Sequence, residues 1–161
     1  MITAGGPTTF CQGGNVVLTS SLAENNLWST GATTQSITVT AAGNYTVSST
    51  QTLCTSLPVT VAFSPLPGAA GSISGPNQVF QGQSGVTYSV AAIPNATGYT
   101  WTLPPDAVIT NGQNTRIIVV EFGPTATSGT MRVRGTNDCG SGTLSPVKTI
   151  TVNMAPTLVL G

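Results

Sequence analysis

Side chains able to do acid, base or nucleophilic chemistry are few in this chain. Its 161 residues include no histidine, and its four carboxylates are Glu24, Asp106, Glu121 and Asp138. The absence of histidine excludes Ser-His-Asp, Cys-His and histidine-rich metal sites. The carboxylates are widely separated in sequence, and no pattern marks the cleft that a paired-carboxylate glycosidase needs. The sequence therefore predicts no enzymatic activity and no cofactor.

Two weaker patterns for chemistry remain as hypotheses. Asp138 beside Asn137, together with backbone carbonyls, offers oxygen ligands that could hold a calcium ion weakly, although solvated turn residues explain the pair better. Lys148 is the sole lysine, and an isopeptide bond from it to an asparagine would need a carboxylate helper such as Glu121. Neither pattern is specific, so the sequence predicts no metal site.

Charged side chains are scarce and balanced. Lys+Arg number 4 against Asp+Glu 4, and only 5% of residues are charged, against roughly 25% in ordinary soluble proteins. With no basic stripe to neutralise phosphates, nucleic acid binding is excluded. The apolar runs are far shorter than the roughly 20 residues that span a bilayer, so membrane insertion is excluded too. Solubility must rest on hydroxyl and amide groups.

The elements that must position these residues are short strands. Period-2 alternation of β-branched and aromatic residues recurs between Gly, Pro and Asn turns about every ten residues, and helical periodicity is absent. In SITVTAAGNYTVSST, for example, Ile37, Val39, Tyr45 and Val47 share one face. Strands are predicted near 8–11, 15–20, 26–29, 35–40, 43–49 and 57–63, then near 71–74, 86–91, 99–103, 107–110, 116–122, 130–136 and 147–153.

Each half of the chain holds one tryptophan followed by a turn and an alternating strand. We interpret Trp28 and Trp101 as core residues packed between two sheets, because so few aromatics are available to fill a core. The alternative is an exposed platform on which sugars stack, with Tyr99 as a further contact. The sequence leaves Trp28, Trp101 and Tyr99 as the candidate ligand contacts.

Longer motifs carry a resemblance to known families. Residues 8–61, with the opening F-C-Q-G-G and the run W-S-T-G-A-T-T-Q-S-I, resemble the immunoglobulin-like repeats of large secreted surface proteins and enzymes of Bacteroidetes. Residues 71–142, with Y-T-W-T-L and T-N-D-C-G, resemble the PKD-like repeats of the same proteins. The resemblance implies tandem extracellular β-sandwiches that act as spacers or adhesive modules.

The resemblance also implies a pattern for the three cysteines. It pairs Cys11 with Cys54, which would close a loop of about 40 residues and stabilise the domain by roughly 4 kcal/mol in the chain-entropy model. In the second unit Phe80 stands where the family usually has the partner of Cys139. We therefore expect Cys139 to be a free thiol packed against Phe80, or to form an intermolecular disulfide if its turn is exposed. A disulfide implies an oxidising compartment.

These inferences predict an all-β protein of two tandem sandwiches. The expected boundaries are 5–64 for the Ig-like domain, 65–70 for a Pro/Gly linker, 71–154 for the PKD-like domain and 155–161 for a tail or the start of the next linker. The predicted function is a non-catalytic spacer, extracellular or on the cell surface, in a larger polypeptide. The alternative is a module that binds carbohydrate or a host surface through Trp or through a projecting hairpin at 104–114. The expected partners are neighbouring domains, and the chain is expected to be a monomer.

Overall fold

The computed structural model describes residues 1–155, and these residues are all-β. The chain divides into two compact units, Met1–Pro65 and Leu66–Gly161. The predicted tail at 155–161 lies outside the described residues, apart from Ala155. None of the described residues forms a helix that could span a membrane.

Eight short strands form the first unit. They are β1 (Ile2–Ala4), β2 (Thr9–Cys11), β3 (Val16–Ser20), β4 (Asn26–Trp28), β5 (Ser36–Val39), β6 (Gly43–Tyr45), β7 (Val47–Ser49) and β8 (Val59–Ser64). One sheet has the order β1-β3-β5, a second has the order β2-β8-β6, and β4 pairs with β7. Only Thr46 separates β6 from β7, so the second sheet and the β4-β7 pair follow one another along the chain.

The core of the first unit forms because these strands alternate. On β3, Val16 and Leu18 are buried whereas Val17 between them is exposed. Val39 is buried and Thr38 is exposed on β5, in agreement with the alternation predicted there. The core cluster draws on all the sheets, so they pack face to face; its buried members are Val16, Leu18, Trp28, Val39, Val47 and Val61.

The second unit has a larger sandwich. Its strands are β9 (Gln78–Phe80), β10 (Val86–Ser89), β11 (Gly98–Thr102), β12 (Ala107–Asn111), β13 (Ile117–Phe122), β14 (Gly129–Asn137), β15 (Gly140–Ser141) and β16 (Lys148–Asn153). One sheet has the order β10-β13-β12 and the other β11-β14-β16-β9, with β15 paired to β14. Apolar residues of both sheets meet in one core, in which Tyr88, Phe122 and Met131 are fully buried.

The structure differs from the predicted boundaries at both ends of the first unit. Ile2 begins β1, which pairs with β3 in front of the predicted start at residue 5. Within the predicted linker, Gly68 N–H donates to the carbonyl of Pro94 (2.9 Å), and the buried Ala70 donates to Thr143 (3.1 Å). Residues 66–70 are therefore packed into the second unit, because their backbone groups bond to its loops. The predicted strand at 71–74 is only a bridge at Ser74.

Candidate functional site

Trp28 on β4 is enclosed by the core of the first unit. Its side chain is 2% exposed, and its indole Nε1–H donates to the carbonyl of Thr34 at 2.8 Å. A ligand could reach neither the ring face nor the ring nitrogen without opening the unit. The alternative in which Trp28 is a sugar-stacking platform is therefore wrong, because the ring is needed to fill the space between the sheets.

Trp101 and Tyr99 lie two residues apart on β11 and pack against the core of the second unit. Both side chains are half-buried. The Trp101 Nε1–H donates to the carbonyl of Thr115 (2.9 Å), and the Tyr99 hydroxyl accepts the N–H of Ile93 (3.2 Å). Their polar atoms are thus used within the unit, and only part of each ring faces solvent.

The segment 104–114 does not project as the sequence predicts. Its residues 107–111 form β12, and the turn that follows folds back over the edge of β11. There the side-chain Oδ1 of Asn114 accepts the N–H of Tyr99 at 3.0 Å. Gly112 has φ +76°, and a Cβ at this position would lie 2.1 Å from the carbonyl oxygen of Ile117. The turn is therefore a closed cap on a strand edge rather than an open binding loop.

Both predictions about the cysteines are wrong. Cys54 is exposed and carries a free thiol, whereas Cys11 and Cys139 are the disulfide-bonded cysteines. Phe80 does not fill the volume of a missing bridge either, because its side chain is 47% exposed.

The strand order explains why Cys11 and Cys54 do not pair. Cys11 lies opposite Ser64, the last residue of β8. Cys54 precedes the other end of β8, where its carbonyl accepts the N–H of Ser49 at 3.0 Å. From Val59 to Ser64 the strand alone spans roughly 17 Å, and disulfides form only when the Cα atoms lie within about 7 Å.

The titratable side chains are not gathered into a site. Among residues 1–155 no group of three or more His, Cys, Asp or Glu side chains could hold a metal ion. Asp138 is exposed. Asp106 stabilises a turn instead, because its carboxylate accepts the N–H (3.1 Å) and the hydroxyl (2.6 Å) of Thr125.

Lys148 has a neighbour that the sequence reasoning did not name. Its Nζ donates to the Oδ1 of Asn77 at 2.5 Å, which joins the last strand of the second unit to the start of its first strand. Asn77 is exposed. Glu121, the proposed helper for an isopeptide bond, lies on β13 in the other sheet. The arrangement of Lys148 and Asn77 is a surface hydrogen bond, and Glu121 is not positioned to assist chemistry between them.

Parallel pairing of strands from the two ends of a unit is the feature that sequence reasoning missed. In the first unit β2 pairs in parallel with β8, and Phe10 lies opposite Phe63. Those two rings meet edge to face, with centroids 5.4 Å apart. In the second unit β9 pairs in parallel with β16, and Val79 lies opposite Val152. In the sequence, β9 is indicated only by the short alternation at 78–80, next to a Gly-rich turn.

The fold of the second unit can be compared with a known family of β-sandwich domains. Each of the two units is an all-β sandwich. The family model described as "PKD-like domain" matches residues 66–150, more than half of the chain. The chain therefore belongs to the PKD-like domain family.

Solved structures show the same fold at low sequence identity. Domains A168–A170 of titin match with 13% identity and a TM-score of 0.56, covering 94% of this chain and 66% of that one. A marsupial T cell receptor matches with 10% identity and a TM-score of 0.56, covering 99% of this chain and 74% of the receptor. No curated protein matches the chain.

Proposed function

We propose that this chain is a non-catalytic structural segment of a larger extracellular protein and that it holds neighbouring domains apart. Membership of the PKD-like family supports a module of this class. The disulfide-bonded state of Cys11 and Cys139 supports an oxidising compartment, outside the cell or on its surface.

The parallel terminal strands are the observation that carries this proposal. In the second unit β9 and β16 run side by side in the same direction, so a pull on the start of β9 and on the end of β16 acts at opposite ends of the pair. Tension along the chain then slides the two strands past each other, and their hydrogen bonds must break together. Two of these bonds lie at the ends of the pair: Thr151 N–H to Asn77 O (2.8 Å) and Gln81 N–H to Asn153 O (2.9 Å).

The first unit supports the same function with a second parallel pair. Its β2 and β8 are joined by the ladder and by the bond from Ala62 N–H to the carbonyl of Thr8 (2.9 Å). The edge-to-face contact of Phe10 with Phe63 adds about 0.5 to 1.5 kcal/mol beyond the area that the rings bury. A spacer made of such units would keep its sandwiches folded under tension.

Single-molecule force spectroscopy tests the proposal on the whole chain. Attachment through azide-bearing residues at Gln78 and Met154, which lie towards opposite ends of the β9·β16 pair, loads the strands in shear. Attachment at Gln78 and Thr151, which lie opposite each other, peels the strands apart one bond at a time. We expect the second unit to unfold at a clearly higher force in shear.

Equal forces in the two directions would contradict the mechanical function, because they would show that the parallel pair does not resist tension. Thermal unfolding of both labelled proteins serves as the control that attachment has not changed their stability. Binding of a glycan panel by the same protein, lost in a folded Trp101→Ala variant, would favour the recognition function instead.

A further inference from the structure

The first unit has an open strand edge on β5. Within the sheet β1-β3-β5 this strand pairs only with β3. A groove of about 590 Å³ runs along its other side and leaves that edge accessible; it is lined by β5 together with Ala32, Thr34, Ala41 and Tyr45. Open edges carry unpaired backbone groups and are ready to add a further strand.

The register shows which backbone groups point into the groove. Ser20 N–H donates to the carbonyl of Gln35 (2.9 Å), so residue 35 and the alternate residues after it bond to β3. Ser36, Thr38 and Thr40 therefore direct their N–H and C=O groups outward. The Ser36 carbonyl accepts the hydroxyl of Thr34 (2.7 Å), and across residues 1–155 no hydrogen bond is formed by the backbone of Thr38 away from β3.

Apart from the Thr34 hydroxyl on the Ser36 carbonyl, this edge lacks the devices that keep other edges of the chain from pairing. The edge of β11 is capped by Asn114, and β12 carries a bulge between Ile109 and Asn111. By contrast, residues 34–41 contain no proline, glycine or charged side chain, and no charged residue occurs anywhere from 25 to 105. Proteins usually protect an exposed edge with a charge, a proline or a bulge.

We propose that β5 is a homotypic docking strand, which pairs with β5 of a second copy of this chain. Antiparallel pairing about a two-fold axis at Thr38 places Thr38 opposite its own copy and Ser36 opposite Thr40. All three residues direct backbone groups outward, so this register makes about six hydrogen bonds between the copies. Two of the six go to Ser36 carbonyls, which would accept them beside the Thr34 hydroxyl that they already accept. Ile37 and Val39 then meet on the inner face and the hydroxyl side chains meet on the outer face.

The absence of charge selects this occupant. A partner strand carrying Lys, Arg, Asp or Glu would find no opposite charge on the edge and would lose hydration on docking. The copy's own β5, with the residues Ser-Ile-Thr-Val, brings no charge to desolvate and matches the alternation of apolar and hydroxyl side chains. A two-fold contact of this kind uses the same patch on both copies. The pairing is confined to one short strand, so we expect a weak dimer that forms with increasing concentration.

Sedimentation equilibrium of the whole chain tests the pairing. The weight-average mass is expected to rise from 16.2 kDa towards twice that value as concentration increases. Thr38→Lys places two like charges directly opposite each other and should weaken the dimer about two- to fivefold. Thr38→Glu should do the same. An equimolar mixture of the two variants should restore a dimer, because the lysine of one copy then faces the glutamate of the other.

Val17→Lys is the matched control. Val17 is 42% exposed and lies opposite Thr38 on the same face of the sheet, but its carbonyl is bonded to Gly5 rather than open. Val17→Lys should leave the dissociation constant of the dimer unchanged. A chain that stays monomeric up to millimolar concentration, a dimer that Thr38→Lys does not weaken, or equal weakening by Val17→Lys would each overturn the proposal.

Discussion

Tyr88 offers a sharp test of how the second unit is packed. Its side chain is 0% exposed, and its hydroxyl has no hydrogen-bond partner among the residues that the structure describes. Gly75 lies directly over the ring, since a Cβ there would be 2.4 Å from the Tyr88 Cδ1. A buried hydroxyl without a partner costs roughly 1 to 3 kcal/mol. Tyr88→Phe removes that group and keeps the ring, so we predict that it stabilises the second unit by about 1 kcal/mol.

The stabilisation of the second unit by Tyr88→Phe should increase in alkaline solution. Burial raises the pKa of Tyr88 to about 12, against about 10 for tyrosine in an unfolded chain. Between pH 10 and 12 the unfolded state loses the proton while the folded state keeps it, so stability falls as pH rises through this window. By pH 12 the loss should approach about 2 to 3 kcal/mol in the wild type, and Tyr88→Phe should not show it.

Urea denaturation of the whole chain, fitted with one transition per unit, measures both effects. Tyr99→Phe is the matched control, because the Tyr99 hydroxyl accepts the N–H of Ile93 and its removal should destabilise the unit by about 1 kcal/mol. The same chemical change is thus predicted to have opposite signs at the two positions. Destabilisation by Tyr88→Phe at pH 7 would refute the reasoning, since it would show that the hydroxyl has an internal partner such as a buried water.

The contacts within the two units lead to three further predictions. Thiol titration of the native protein should label Cys54 alone, and mapping should find Cys11 and Cys139 only in disulfide-linked peptides; labelling of Cys139 would contradict the structure. Trp28→Ala should cost the first unit about 3 to 5 kcal/mol while calorimetry shows the second transition unmoved. Asp106→Ala should lower the melting temperature of the second unit by removing both bonds to Thr125, at a cost of about 1 to 3 kcal/mol; Asp106→Asn, which keeps one acceptor, should lose less.

Local alternation allowed the strands to be predicted from sequence, but not their partners. The pattern at 35–40 predicted β5 because Val39 and Thr38 face opposite sides. The parallel pairing of β9 with β16 joins residues about seventy positions apart, and nothing in either three- to six-residue segment encodes it. β1, β9 and the two-residue β15 were missed, because segments this short show little alternation. The equally short β2 and β4 were found only within longer predicted segments, 8–11 and 26–29.

The cysteines show where a resemblance can mislead. Three cysteines allow any of three pairings, and spacing does not select among them. Carrying the family's pairing onto Cys11 and Cys54 ignored the length of β8 that separates them. The presence of Phe80 in place of a cysteine does not entail a free thiol at Cys139, which is disulfide-bonded.

The near absence of charge in the first unit links the proposed function to the proposed docking edge. Glu24 is the only charged side chain in residues 1–65, so salt and moderate changes of pH have almost nothing there to act on. Cross-strand polar contacts are made by hydroxyl pairs instead, such as Thr19 with Ser36 (3.0 Å) and Ser48 with Thr55 (2.9 Å).

This composition suits a segment that must keep its fold in a variable environment, but it also removes the like-charge repulsion that protects strand edges. The scarcity of charged side chains therefore makes the unit insensitive to salt and also leaves the edge of β5 unprotected. Replacing Thr38 with lysine should weaken the pairing of that edge with a second copy and make the remaining association sensitive to ionic strength.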